Sequence, residues 1–155
     1  MADNSIARND ERKNDLIKYL FNFAYDHDIG YVFFESDPNY PSLSWKNKRE
    51  IGINMNWHNH SAEVPFTIAH EIGHIMGDGP NLKQFDCIGY GWQNCDEKPA
   101  DNYGVRLIYE YSCRMEDNFC DPLAFMKAYG ILSRMTKETY KVFEEKSDLY
   151  TREVC

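Results

Sequence analysis

The residues best suited to perform chemistry in this chain form one short motif, His70-Glu71-Ile72-Gly73-His74. Two histidines four residues apart on a helix lie on the same face, separated by about 6 Å of rise, so both imidazoles can point at one metal ion. The intervening Glu71 lies beside this pair and can act as a general base without being a ligand. Zinc peptidases use this HExxH arrangement. We therefore predict that His70 and His74 bind a metal ion and that Glu71 is catalytic.

The alternative interpretation of the motif is a solvent-exposed helix that carries two histidines by coincidence. The surrounding residues disfavour it, because Phe66, Ile68 and Ala69 make the helix largely apolar. Burying Glu71 in such a helix would be costly without a partner such as a cation.

A catalytic zinc ion also needs a third protein ligand. Glu97 and Asp101 lie four residues apart at the start of the next predicted helix, so their carboxylates share a face. We predict Glu97 as the third ligand. We predict that Asp101 accepts a hydrogen bond from the non-ligating nitrogen of His70 or His74, because such carboxylates fix the orientation of ligating rings. Spacing alone leaves three other candidates for the third ligand: His58, Asp86 and Asp96. Zinc suits this ligand set, and manganese or cobalt are the alternatives.

The elements that must position these residues follow from apolar periodicity and from turn residues. Helices are predicted over residues 14–28, 62–76, 96–111, 121–130 and from 133 or 136 to 146, and strands over 31–35 and 49–56. Residues 36–44 are predicted to form a loop, and Gly30 is expected to end the first helix. The second strand alternates apolar and polar residues, with Asn54 on the polar side. We therefore expect an exposed face and an edge position, to which an extended substrate peptide could add. The predicted class is α+β, with a small mixed sheet, about five helices and the motif on a central helix, as in zincins.

Composition fits one globular domain over residues 1–155, with about the first eight residues frayed. The chain is 43% hydrophobic and carries a net charge of −8, which disfavours direct binding of nucleic acid. The apolar runs are too short for a membrane span and the N-terminus lacks a secretory signal, so we expect a cytoplasmic protein. The five cysteines form no CxxC pair, so we expect free thiols rather than a structural zinc site.

The chain from about Asn14 to Ile108 resembles the ImmA/IrrE family of small metallopeptidases, which occur widely in phages and other mobile elements, and the last helices fit the family loosely. The residues that carry the resemblance are Ile51-Gly52-Ile53-Asn54, Phe66-Thr67, His70 to His74, Glu97, Ala100-Asp101, Tyr103 and Leu107-Ile108. Gly104 stands where the family usually has alanine. The resemblance implies that His70, His74 and Glu97 bind zinc and that Glu71 is catalytic.

The resemblance also implies a function, namely a zinc-dependent endopeptidase that cleaves a specific protein. A helix-turn-helix repressor of a mobile element is the expected substrate, as a separate protein, because no such DNA-binding segment is evident here. One alternative is a zinc-containing binding or regulatory module that docks a partner without proteolysis. Glu71 favours the enzyme, since a structural site needs no base. Another alternative keeps the peptidase chemistry but directs it at host proteins as a toxin or defence effector. Four side chains could stabilise the oxyanion but are better explained by packing or surface roles: His58, His60, Tyr90 and Tyr103.

Overall fold

The chain folds into helices that pack against a small sheet, and the computed structural model describes residues 4–56, 61–77 and 98–150. Within these ranges the helices are α1 (Asn4–Asp26), α2 (Val64–Met76), α3 (Lys98–Arg114), α4 (Pro122–Tyr129) and α5 (Thr136–Tyr150). The strands are β1 (Gly30–Phe34), β2 (Leu43–Trp45) and β3 (Glu50–Asn54). This arrangement confirms the predicted α+β class with a small mixed sheet. No helix in these ranges combines the length and apolar content needed to cross a bilayer.

The strand β3 lies in the centre of the sheet, between β1 and β2. It pairs in parallel with β1 and antiparallel with β2. The predicted edge position is therefore wrong, and so is the exposed face, because Gly52 and Asn54 on that face are buried. The edge position fails because β2, a three-residue strand that begins at the end of the predicted loop, pairs with the edge of β3 that we expected to be open. An extended peptide consequently cannot add to β3.

Asn54 shows why this strand end is buried rather than solvated. Its side-chain amide donates hydrogen bonds to the carbonyl oxygens of Asp37 (2.9 Å) and Tyr40 (2.6 Å). Its Oδ1 accepts from the backbone N–H groups of Ser36 (3.2 Å) and Asn56 (3.0 Å). A buried amide with all these partners is well tolerated. Asn54 thus ties the connection between β1 and β2 to the end of β3.

The helix α1 is longer than predicted, and it ends earlier. It begins at Asn4, so it includes residues 4–8 that we expected to be frayed. Residues 4–13 contain neither proline nor glycine, so their sequence does not interrupt the helix. The αL residue that follows the helix is Asp28 (φ 56°), and the N–H of Ile29 closes the end by donating to Ala24 O at 2.8 Å. Gly30 therefore starts β1 instead of ending the helix.

The helices α2 and α3 are packed so closely that their backbones nearly touch. A Cβ atom added at Gly73 would lie 2.7 Å from the carbonyl oxygen of Ala100. One added at Gly104 would lie 3.2 Å from the backbone nitrogen of His70. These pairings show that the helices run antiparallel where they cross. They also explain why position 73 holds glycine, and they bring the first turns of α3 alongside the motif.

The C-terminal helices are anchored by sharply defined turns. Asp121 caps α4 by accepting a hydrogen bond from Leu123 N at 3.0 Å, and Gly130 ends α4 with φ 65°, which confirms the predicted bounds. A 3₁₀ turn, Ser133–Met135, then leads directly into α5. Met135 is 3% exposed, so this turn is held against the core.

Candidate metal centre

The two motif histidines converge on one point beside helix α2. Their Nε2 atoms are 3.0 Å apart, and their ring planes are nearly perpendicular, at 88°. Two imidazole nitrogens on one tetrahedral zinc ion, with Zn–N bonds of 2.0–2.1 Å, lie about 3.3 Å apart. The separation of the two Nε2 atoms is therefore close to that of two imidazole nitrogens on one zinc ion.

Glu71 lies inside the same largely buried helix and is only 7% exposed. His74 is similarly buried, and the His70 side chain is 13% exposed. Removing a carboxylate from water is costly unless polar groups or a cation offset the lost hydration. A carboxylate beside two metal-binding imidazoles has that compensation when the metal is present, and this accords with the predicted role of Glu71 as a base.

Asp101 lies against the outer nitrogen of His70. Its Oδ1 is 2.8 Å from His70 Nδ1, and its Oδ2 accepts a hydrogen bond of 2.8 Å from Arg134 Nη1. Since a carboxylate only accepts, Nδ1 of His70 carries a proton, and in the neutral ring this leaves the lone pair on Nε2, the nitrogen nearer His74. This is the tautomer that a metal ligand requires. The structure thus places Asp101 where the sequence predicted a supporting carboxylate, with His70 rather than His74 as its partner.

Arg134 is the site residue that sequence reasoning missed. It lies 33 residues after Asp101, in a separate 3₁₀ turn, and the sequence around it carries no motif. Only the packing of the C-terminal turn against α3 brings the guanidinium to the carboxylate.

The third ligand stays a prediction, because Glu97 lies outside the described residues. The alternatives His58, Asp86 and Asp96 also lie outside them, as do His60 and Tyr90. Within 4–56, 61–77 and 98–150, no group of three His, Cys, Asp or Glu side chains forms a metal site. Asp101 is not placed to be the third metal ligand, because it contacts Nδ1 of His70, the ring nitrogen that faces away from His74.

Tyr103 packs toward α1 rather than acting as a donor in the cleft. Its ring meets Phe23 edge-on at 6.5 Å. Burial, followed by the nearby charge of Glu110 and by Tyr19, raises the pKa of the Tyr103 hydroxyl. These neighbours favour the packing role that the sequence suggested for it.

Comparison with known proteins yields no relative for this chain: no protein-family model, curated protein or solved structure matches it.

Proposed function

We propose that this chain is a zinc-dependent endopeptidase that hydrolyses a peptide bond in a specific protein substrate. The observation that carries the proposal is the convergence of His70 Nε2 and His74 Nε2 at 3.0 Å, with Asp101 fixing the ring of His70 from behind. A helix with two incidental histidines would not need an aspartate buried at the outer nitrogen of one of them. The resemblance of the motif to the ImmA/IrrE family supports the same conclusion.

The proposed role of each site residue follows from its position. His70, His74 and Glu97 would hold the zinc ion, which when bound polarises the scissile carbonyl and makes water a stronger nucleophile. Glu71 accepts the proton of the attacking water and then delivers it to the leaving nitrogen. Because Glu71 is almost fully buried, it is shielded from bulk solvent while it holds that proton. Asp101 keeps His70 in the tautomer that leaves Nε2 available for the metal.

The proposed substrate is a helix-turn-helix repressor of a mobile element, and this part rests on the family resemblance. The net charge of −8 is compatible with that choice, because an acidic enzyme is attracted to a basic DNA-binding protein rather than to the DNA itself.

The test combines metal content with cleavage. Mass spectrometry on protein purified without chelators should find about one zinc per chain in the wild type and in Glu71→Gln. The metal should be lost in His70→Ala and in Glu97→Ala. Candidate repressors should be cleaved by the wild type and left intact by Glu71→Gln, which is the matched control because it keeps the ligands. A wild type without zinc would refute the proposal. Zinc without Glu71-dependent cleavage would point instead to a binding or regulatory module.

A further inference from the structure

We propose that Arg134 is a positioning residue of the metal centre, which holds Asp101 so that Asp101 in turn fixes the ring of His70. This inference rests on the proposed function, because it concerns the same zinc site. It adds to that site a residue from the C-terminal part of the chain, where the family resemblance is only loose.

The geometry is a linear chain of three groups. Arg134 Nη1 donates to Asp101 Oδ2 at 2.8 Å, and His70 Nδ1 donates to Asp101 Oδ1 at 2.8 Å. The Asp101 side chain is only 4% exposed. With one oxygen held by the guanidinium, the carboxylate plane is fixed and the other oxygen must face the imidazole. Without Arg134, Oδ2 would lose its charged donor at a buried position, which is costly. We expect the carboxylate then to turn toward water and to release His70.

The backbone around Arg134 is anchored independently of its side chain. Met135 is 3% exposed, and its N–H donates to Leu132 O at 2.8 Å. The Thr139 hydroxyl donates to Met135 O at 2.8 Å, which joins the turn to α5. By contrast, the Arg134 side chain is 54% exposed. Truncating it should therefore leave the fold intact and act on Asp101.

The chain offers a matched control in Arg106. This arginine on α3 forms an ion pair with Glu145 of α5, so it also links α3 to the C-terminal helices. Its side chain is 39% exposed, and that of its carboxylate partner on α5 is 42% exposed. Losing either arginine removes one surface charge and one connection between α3 and the C-terminal segment. Only the loss of Arg134 alters the site.

The experiment measures zinc affinity of the full chain by competition with a chromophoric chelator. Arg134→Gln should weaken zinc binding about tenfold, the lower end of the effect of removing an outer partner of a ligating histidine. Arg106→Gln should stay within about twofold of the wild type, because exposed ion pairs contribute little. Arg134→Lys should recover part of the loss, since it keeps the charge but not the planar fork. In an Asp101→Asn background, Arg134→Gln should cause no further loss.

A second readout does not depend on the metal. Nitrogen-15 NMR of the imidazoles in zinc-free protein, at about pH 8 where an ordinary histidine is neutral, reports the tautomer of His70. We expect the Nδ1–H form in the wild type and in Arg106→Gln, and a tautomer mixture in Arg134→Gln. Equal zinc affinity in Arg134→Gln and Arg106→Gln, or an unchanged tautomer, would overturn the inference. So would an equal loss from Arg134→Gln in the Asp101→Asn background. If the wild type bound no zinc, the proposed function would fail, and the tautomer comparison would still decide the role of Arg134.

Discussion

Replacing Gly73 with alanine tests whether the motif helix depends on direct backbone contact with α3. The new Cβ would lie 2.7 Å from the carbonyl oxygen of Ala100, 3.0 Å from its Cα and 3.1 Å from Cβ of Tyr103. Two of these three atoms are backbone, so no side-chain rotation can relieve the clash. The helices must move apart instead.

The size of that movement follows from the distances. Ordinary van der Waals contact begins at 3.4 Å, so α3 must retreat by about 0.7 Å at Ala100. Overpacking of this kind costs about 1–3 kcal/mol, and the better helix propensity of alanine returns up to about 1 kcal/mol. We therefore expect a net loss of about 1–2 kcal/mol in the free energy of unfolding. For a domain of this size this corresponds to a decrease of about 3–6 °C in Tm.

The same movement should be visible at the metal centre. Asp101 follows Ala100 directly, so its 2.8 Å contact with His70 Nδ1 would lengthen to about 3.5 Å, beyond a normal hydrogen bond. Zinc affinity should then fall about tenfold.

Urea denaturation and chelator competition would measure the two effects. Gly104→Ala is the matched control, because its Cβ would meet only atoms at 3.2–3.4 Å and a small adjustment suffices. Its stability should stay within about 0.5 kcal/mol of the wild type, since the propensity gain offsets the tight contact. A Gly73→Ala protein as stable as the wild type, or a larger loss in Gly104→Ala, would refute the reasoning.

Three further predictions concern the scaffold. Gly130→Ala should lower the free energy of unfolding by more than about 3 kcal/mol or prevent folding, because a Cβ there would lie 2.0 Å from Ala62 O on a backbone with φ 65°. A variant that is expressed normally and denatures at the same urea concentration as the wild type would contradict this. Asn54→Ala should lower the free energy of unfolding by about 2–4 kcal/mol in urea denaturation, because the carbonyl oxygens of Asp37 and Tyr40 would lose their donors at a part-buried site, and a loss below about 1 kcal/mol would disprove it. Burial and the hydrogen bond to Asp117 raise the pKa of Tyr129, so its contribution to stability is present below about pH 10 and decreases as the pH rises toward the folded-state value. The free energy of unfolding of Tyr129→Phe should therefore decrease less at alkaline pH than that of the wild type. Equal decreases in the two proteins would show that the ionisation of Tyr129 does not cause the alkaline loss of stability.

Local signals were sufficient to predict the helices that carry strong start and stop residues. The bounds of α4 follow from Asp121, Pro122 and Gly130, each of which acts within one turn of its own position. The motif spacing likewise places His70 and His74 on one face, and the structure brings their Nε2 atoms together. Such features need no knowledge of the rest of the chain.

The sheet could not be predicted in the same way, because strand pairing depends on residues far apart in sequence. Alternation along β3 suggested a strand with an open edge, but β2 pairs with that edge, and a three-residue strand is too short to give a periodic signal. The polar side chain of Asn54 also contributed to the wrong prediction of an exposed face on β3. Its polarity predicts exposure, and only the surrounding backbone groups make its burial favourable.

The motif helix must satisfy two demands at once, and the register of α2 against α3 meets both. His70 and His74 present their Nε2 atoms to a common point, while Gly73 faces α3 and allows the backbones to touch. Because the helices are antiparallel, Gly104 meets the backbone of His70 and Ala100 meets Gly73, so Asp101 falls between these contacts and reaches His70 Nδ1. The glycine in the motif therefore supports the proposed metal centre, because the close approach that it permits lets the aspartate reach the ring.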